Sequence, residues 1–350
     1  MNEIVMSSAG NTSFLAGVLE WGIEIIRLIQ KIQGPFLTTL VKIITEFGTG
    51  KFYVPVILFI FWWLDEKRGL RFGILIIVSA WINALLKILL KQPRPFHLEP
   101  SLGLAFESSY GAPSGHAQMS LCFWIPMAAW YTQAWADRTA DKGKKRNLSI
   151  WALSIFIILF IGFTRLYLGV HFPTDLLAGW VVGGIILTFW FFAELRVEKL
   201  FAATGRRFQN ISVAVAALAM NSLYPMDKSL PALFLGFCLG YNIMRKAFPF
   251  YAQANINGKK PGPRVMFLRC LTGFLGAAIL YLGLKLMLPG DGSLWTSFYH
   301  FYELGRFIRY DLLGFWVSAG APWVFRRLGL SSNEDSSENS NVNPGENPKG

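Results

Sequence analysis

Long apolar runs alternate along this chain with short polar connections that are rich in lysine and arginine. The apolar runs lie near 52–64, 70–90, 116–134, 148–168, 173–193, 211–224, 231–244, 265–288 and 308–325. Several of them approach about 20 residues, the length that a helix needs to cross a bilayer. The pattern therefore predicts an all-α fold: a multi-pass integral membrane helical bundle.

The first 50 residues show a different periodicity. Residues 14–32 place Glu20, Glu24, Arg27 and Lys31 on one helical stripe and apolar side chains on the other face. This pattern is typical of an amphipathic helix that lies in the membrane interface, and residues 35–47 form a shorter candidate of the same kind. For both segments the alternative is a crossing of the membrane against a polar partner.

The chain after residue 208 adds further apolar runs. The runs 211–224 and 231–244 are short, which leaves a tilted or re-entrant pair open, and Gly236 with Gly240 forms a GxxxG pattern that favours close helix packing. This region could complete a lipid-access groove, pack a dimer or carry a separate activity. Its polar residues could pair with each other or line a cavity; they include Arg306, Arg309 and Asp311.

The predicted organisation has four parts. They are N-terminal amphipathic helices at 1–50, a membrane core at 51–195, an additional transmembrane region at 208–328 and a polar, disordered tail at 329–350.

Composition supports the membrane prediction and excludes one partner class. Only 15% of the residues are charged, compared with about a quarter in soluble domains. The net charge of +12 would suit a nucleic acid, but the cations lie in short connections, as in cytoplasmic loops of membrane proteins. We therefore predict no nucleic-acid partner. The basic connections 65–71, 137–147 and 194–207 are predicted to be cytoplasmic, which places 91–115 and 165–175 on the opposite face.

The segment GAPSGHAQ, at 111–118, begins an apolar run on that opposite face. Backbone N–H groups at a helix start are unpaired and favour a bound phosphate. Gly115 lets a ligand approach the backbone closely, and the Ser114 hydroxyl can also donate. His116 then lies in the first turn, beside any anion bound there.

Three cations belong to the same face. Lys87 lies near the end of one apolar run, Arg94 follows between two prolines that keep it in a loop, and Arg165 lies near the end of another run. A guanidinium suits a bidentate grip on phosphate, and an ammonium adds a point charge. Each residue alone also has an ordinary structural interpretation. Together with two histidines and a carboxylate on one face, they predict a site for phosphate chemistry.

His171 and Asp175 complete this set. His171 just precedes Pro173, which suits the first position of a helix, and Asp175 lies in the opening turn of that helix. A carboxylate four residues from an imidazole can accept the ring N–H, orient the ring and free its other nitrogen for attack.

These residues resemble the three signature motifs of the type 2 phosphatidic acid phosphatase superfamily. The motifs are Lys87 with Arg94-Pro95, then Pro113-Ser114-Gly115-His116, then Arg165 with His171 and Asp175. The resemblance covers about residues 50–195. In one departure, Thr164 stands where the family usually has serine before the third-motif arginine. Threonine keeps the hydroxyl donor, so we expect little consequence beyond a slightly tighter pocket.

The resemblance implies a metal-free phosphohydrolase without a cofactor, with its site at the membrane surface. By similarity, His171 is the nucleophile, Asp175 orients it, and His116 acts first as an acid and then as a base. The phosphate would be held by Lys87, Arg94, Ser114, Gly115 and Arg165, with no metal ligands among them.

A membrane site favours an amphiphilic substrate that diffuses laterally to it. The predicted substrate is a lipid phosphate or diphosphate, such as phosphatidic acid, phosphatidylglycerol phosphate, an isoprenyl diphosphate or a sphingoid phosphate. A soluble sugar phosphate is an alternative within the class. A lipid-binding transporter or scramblase is an alternative outside it, although binding alone does not need the His171–Asp175 pair. We expect a bacterial inner-membrane protein with its site facing the periplasm or the outside, and a homodimer is an open possibility.

Overall fold

The computed structural model describes residues 11–136, 144–256, 259–288 and 299–332. Thirteen α-helices make up most of this described part. They are α1 (Asn11–Gln30), α2 (Pro35–Thr45), α3 (Gly50–Phe59), α4 (Glu66–Leu90), α5 (Pro95–Leu98), α6 (Gly115–Ala136), α7 (Lys144–Tyr167), α8 (Pro173–Ala203), α9 (Arg206–Leu223), α10 (Ser229–Ala247), α11 (Pro263–Met287), α12 (Tyr299–Phe315) and α13 (Ala321–Arg327). The predicted all-α fold is confirmed.

Four helical stretches in the described part are long and apolar enough to cross a membrane. Their bounds are Glu66–Leu98, Arg146–Tyr167, Pro173–Ala203 and Pro263–Met287. The bent pair Pro35–Gly48 and Gly50–Leu64 makes a fifth if it counts as one broken span. The chain is therefore an integral, multi-pass membrane protein.

Two predicted segments lie largely outside the described residues: the polar tail at 329–350, described only to 332, and the basic connection at 137–147, described only from 144. The described chain divides into two compact units. The first contains Met1–Tyr53 and Ile82–Ala193, and the second contains Val54–Trp81 and Glu194–Gly350. All the predicted site residues fall in the first unit, whereas residues 54–81 of the predicted core belong to the second.

In the first unit, the N-terminal helices pack on the segments that carry the predicted motifs. Both α1 and α2 contact α7. Gln30, at the end of α1, donates to the carbonyls of Leu102 and Tyr167, each at 2.9 Å. Ile26 packs in one apolar cluster with Leu102 and Phe172. The interfacial position of these helices stays a prediction.

A left-handed glycine ends α7 and sets the direction of the chain before His171. Gly169 has φ +66°, its N–H bonds to Leu166, and the N–H of Val170 reaches back to Arg165. This is the Schellman pattern, in which glycine avoids the strain that a Cβ would bring at positive φ. A Cβ here would also lie 1.9 Å from the carbonyl oxygen of Leu102.

In the second unit, glycines bring α10 and α12 into backbone contact. A Cβ at Gly236 would lie 1.8 Å from the carbonyl oxygen of Asp311, and one at Gly240 would lie 2.3 Å from Oγ of Ser318. From the other helix, a Cβ at Gly314 would lie 2.5 Å from the carbonyl oxygen of Leu233. The GxxxG pattern therefore marks a close helix contact, because small residues let two helix backbones approach.

A buried arginine joins several segments of the same unit. Arg269, on α11, has no exposed surface and donates to the carbonyls of Leu330, Trp62 and Ala252 at 2.8, 3.2 and 2.6 Å. On α12, Arg306 pairs with Asp227 at 3.1 Å, and Arg309 lies over the ring of Tyr281. Carbonyls, a loop carboxylate and an aromatic face thus surround the cations of this region.

We expect Gly236→Leu to lower the midpoint of thermal unfolding in detergent by about 5 °C or more, because the new side chain overlaps the backbone of α12. Gly283→Leu on α11 is the matched control, since a Cβ there meets no atom within 4 Å. Equal midpoints for the two variants would contradict the close contact between α10 and α12.

Candidate active site

The predicted site residues come together in the first unit, where the chain leaves α4 and α7 and enters α6 and α8. Arg94 follows α4 and has no exposed surface. Its Nη1 donates to the carbonyl of Val170 at 2.8 Å and lies 3.3 Å from Nε2 of His171. The first and third motifs therefore meet directly, although 77 residues separate them.

The pair of His171 and Asp175 is buried and oriented by several donors. Nδ1 of His171 lies 3.2 Å from Oδ2 of Asp175, which also accepts the backbone N–H of Phe172 at 2.9 Å. The other oxygen, Oδ1, accepts the side-chain amide of Gln92 at 2.8 Å. The Phe172 N–H and the Gln92 amide thus hold the carboxylate in place, and the carboxylate in turn orients the His171 ring.

The protonation of His171 follows from its neighbours. Arg94 can only donate hydrogen bonds, so the ring nitrogen that faces it, Nε2, must be an acceptor, and the ring proton lies on Nδ1 toward Asp175. Burial, together with the positive charges of Arg165 and Arg94, holds the pKa of His171 well below its usual range. The imidazole is therefore neutral at neutral pH, with its lone pair on the nitrogen opposite the carboxylate.

The second motif forms the start of α6. The backbone N–H of Ser114 donates to the carbonyl of Asp175 at 2.9 Å, which joins this segment to α8. Gly115 and His116 are the first two residues of the helix, so their N–H groups have no intrahelical acceptor. Nε2 of His116 is buried and has no hydrogen-bond partner among the described residues.

Small residues allow α6 and α8 to approach each other at the site. A Cβ at Gly179 would lie 2.6 Å from the carbonyl oxygen of Ser114 and 3.0 Å from Cβ of Ala117. One turn later, a Cβ at Gly183 would lie 3.1 Å from the carbonyl oxygen of Gln118. This contact places the start of α6 beside the start of α8, and hence His116 near His171.

Backbone carbonyls hold two of the three predicted cations. Nζ of Lys87 donates to the carbonyls of Tyr110 and Gly111 at 2.5 and 3.0 Å. Nε of Arg94 donates to the carbonyl of Ser109 at 2.6 Å, and its Nη2 donates to the hydroxyl of the same residue at 3.0 Å. These neutral acceptors orient both side chains and themselves add no negative charge.

Arg165 is held from the N-terminal region. Its Nη1 donates to Oγ1 of Thr45 at 2.8 Å, and that oxygen also lies 3.0 Å from Oγ1 of Thr164. The Thr164 hydroxyl is therefore part of the support of Arg165. The second guanidinium nitrogen, Nη2, contacts the carboxylate of Glu107.

Glu107 bridges both arginines of the site. Its Oε2 lies 2.7 Å from Nη2 of Arg94, and its Oε1 contacts Nη2 of Arg165. The arginine side chains are buried, whereas that of Glu107 is 29% exposed. One carboxylate thus occupies donors that the sequence assigns to phosphate.

Sequence reasoning missed several residues that complete the site. Gln92 lies beside the first motif, and Glu107 is one of two acids in the outer segment 91–115, so both carried a weak signal. Asn83 donates to the side chain of Gln118 at 2.9 Å and to the carbonyl of Pro113 at 3.2 Å, and so contacts the first part of α6 and the residue before Ser114. Thr45 carried no signal, since 120 residues separate it from Arg165.

Comparison with known proteins finds two consecutive matches. Residues 68–197 match the PAP2 superfamily, and residues 229–333 match the transmembrane extension of PAP2 superfamily phosphatases. The second match lies within the region whose role the sequence leaves open.

Three relatives illustrate the similarity. Phosphatidylglycerophosphatase B of Bacillus subtilis (strain 168) is 29% identical over 156 residues, which cover 43% of this chain and 72% of that protein. Undecaprenyl-diphosphatase of Sulfolobus acidocaldarius is 28% identical over 179 residues, covering 47% of this chain and 75% of that protein. The crystal structure of a transmembrane PAP2 type phosphatidylglycerolphosphate phosphatase from Bacillus subtilis shares 25% identity and covers 52% of this chain and 87% of that one, with a TM-score of 0.43.

We expect Gly179→Val to lower the free energy of unfolding by about 1–3 kcal/mol, because the larger side chain overlaps the backbone of Ser114. Gly184→Val on the same helix is the control, since a Cβ there meets no atom within 4 Å. Denaturant titration of the two purified variants measures the difference, and equal stability would contradict the close packing of α8 on α6.

Proposed function

Since this chain belongs to the PAP2 superfamily, we propose that it hydrolyses a lipid phosphate or diphosphate through a covalent phosphohistidine, without a metal ion. The observation that carries this proposal is the buried pair of His171 and Asp175, whose free ring nitrogen faces Arg94 at 3.3 Å. A neutral, oriented imidazole among cations is suited to attack phosphorus.

In the proposed first step, the lone pair on Nε2 of His171 attacks the phosphorus atom. The N–P bond forms as the bond from phosphorus to the leaving oxygen breaks. Asp175 stabilises the positive charge that develops on the ring through the Nδ1–H bond. His116 donates a proton to the leaving oxygen, so the product departs as an alcohol from a monophosphate or as a singly protonated lipid monophosphate from a diphosphate.

In the proposed second step, water replaces the leaving group. His116, now the base, accepts a proton from water while the water oxygen attacks phosphorus and the N–P bond breaks. Inorganic phosphate is released, and both histidines return to their starting protonation states. The orphaned Nε2 of His116, buried beside the helix start, supports this role.

The chain's own cations would stabilise the transition state. Charge accumulates on the equatorial phosphate oxygens, and positioned donors are the main source of catalysis in phosphoryl transfer. Lys87, Arg94 and Arg165, with the N–H groups of Gly115 and His116, offer such donors. Ser114 adds a hydroxyl whose oxygen lies 3.5 Å from the backbone nitrogen of Ala117 at the start of α6.

The membrane setting and the relatives support a lipid substrate. The relatives' names, phosphatidylglycerophosphatase and undecaprenyl-diphosphatase, describe a lipid monophosphate and a lipid diphosphate. Because the site lies at the ends of apolar helices, a lipid headgroup would reach it from the plane of the membrane. We propose that this face is the non-cytoplasmic one, because the basic connections belong to the other side.

His171→Ala is expected to abolish phosphate release, by a factor of at least about a thousand, because no nucleophile remains. Purified wild type and variant are assayed in excess EDTA on phosphatidic acid, phosphatidylglycerol phosphate, sphingosine 1-phosphate and undecaprenyl diphosphate. EDTA-resistant release that the variant loses supports the histidine mechanism and ranks the substrates. Release that persists in the variant, or that EDTA removes from the wild type, contradicts it.

His116→Ala separates the two histidine roles. A substrate with an activated leaving group, such as p-nitrophenyl phosphate, needs no acid in the first step, so this variant should still release p-nitrophenol in an initial burst. A burst from His171→Ala instead would reverse the assignment of the two histidines.

The proposed orientation can be tested by labelling single cysteines in intact bacterial cells, in a variant whose three native cysteines are replaced by alanine. Ser101→Cys lies exposed in the outer segment, and Lys199→Cys lies exposed near the end of α8, within the basic segment 194–207. A membrane-impermeant maleimide should label the first and leave the second unmodified until the cells are opened. The reverse pattern would place the site in the cytoplasm.

A further inference from the structure

The two arginines that would grip phosphate are already bound to an anion of the chain itself. Glu107 gives one carboxylate oxygen to Arg94 and the other to Arg165. The same Arg94 guanidinium lies 3.3 Å from the nucleophilic nitrogen of His171. The carboxylate therefore uses donors that a phosphate must contact when its phosphorus lies within reach of that nitrogen.

A carboxylate and a phosphate compete at such a position for both charge and hydrogen bonds. Each presents oxygen atoms that match a guanidinium fork. Both are anions, so their simultaneous presence between the two arginines is opposed by like-charge repulsion. Binding of phosphate requires that Glu107 give up at least one of its two contacts.

The local backbone allows this exchange. Leu104 is anchored to the carbonyl of Leu168 at 3.1 Å, and Gly111 to that of Gln92 at 2.8 Å. Between these anchors, residues 105–108 make no backbone–backbone hydrogen bond with any other described residue. Phe106, next to Glu107, is 77% exposed. The side chain of Glu107 can leave the arginines without loss of backbone hydrogen bonds.

We propose that Glu107 is a resident anion of the empty site, which neutralises Arg94 and Arg165 until phosphate displaces it. The affinity for phosphate is then set by competition with this carboxylate, which disfavours retention of the phosphate product. Glu107 acts on binding and takes no part in bond making. The identity of the displacing ligand rests on the function proposed above.

The test measures the binding of inorganic phosphate to the full-length protein in detergent, by calorimetry and by the rise in unfolding temperature that phosphate causes. Glu107→Gln keeps the shape of the side chain and removes its charge, so phosphate should bind at least about tenfold more tightly. Glu107→Asp keeps the charge on a shorter side chain and should fall between the two. Glu99→Gln is the matched control, since Glu99 lies in the same outer segment but pairs with Arg27 on α1. This variant should bind phosphate like wild type.

Equal or weaker phosphate binding by Glu107→Gln would overturn the proposal, because it would show that the carboxylate braces the arginines for the ligand. Hydrolysis is measured in parallel to separate this result from the proposed function. If Glu107→Gln binds phosphate more tightly while the wild type shows no hydrolysis, the result supports the resident anion and contradicts the phosphatase function. His171-dependent hydrolysis with unchanged phosphate binding would contradict the resident anion alone.

Discussion

The site depends on holding three cationic side chains close together in a largely buried part of the protein. Removing such charges from water costs free energy unless hydrogen-bond acceptors or anions surround them. Here most of the acceptors are neutral: carbonyls of Ser109, Tyr110 and Gly111 hold Lys87 and Arg94. These carbonyls orient the side chains without adding negative charge, so the three cations together carry more charge than the single carboxylate of Glu107 balances. Burial and these cations together lower the pKa of His171.

Close backbone contacts make that arrangement geometrically possible. The outer segment leads into α6, which begins beside α8, and glycine on α8 allows this approach. The left-handed turn at Gly169 then directs Val170 and His171 toward Arg94. The same principle operates in the second unit, where glycines on α10 and α12 bring two backbones together. Small residues therefore determine where the chemistry-bearing side chains meet.

The fold class and the motif residues could be predicted from the sequence because each depends on local pattern. Apolar runs predict helices, and the four-residue spacing of His171 and Asp175 predicts that their side chains meet. The supporting residues depend on contacts between distant segments, which no local pattern encodes. Thr45 supports Arg165 across 120 positions, and Glu107 was visible only as one of two acids in the outer segment 91–115. The apolar runs likewise did not show that residues 54–81 join the second compact unit.

The contact between Thr45 and Arg165 changes what counts as the smallest functional fragment. The PAP2 superfamily match begins at residue 68, yet the residue that holds this arginine lies on α2, and Gly48 follows closely packed on His116. The N-terminal helices therefore form part of the wall of the site. A fragment cut at the start of the family match would contain all three motifs and still lack the residues that hold Arg165 and pack on His116.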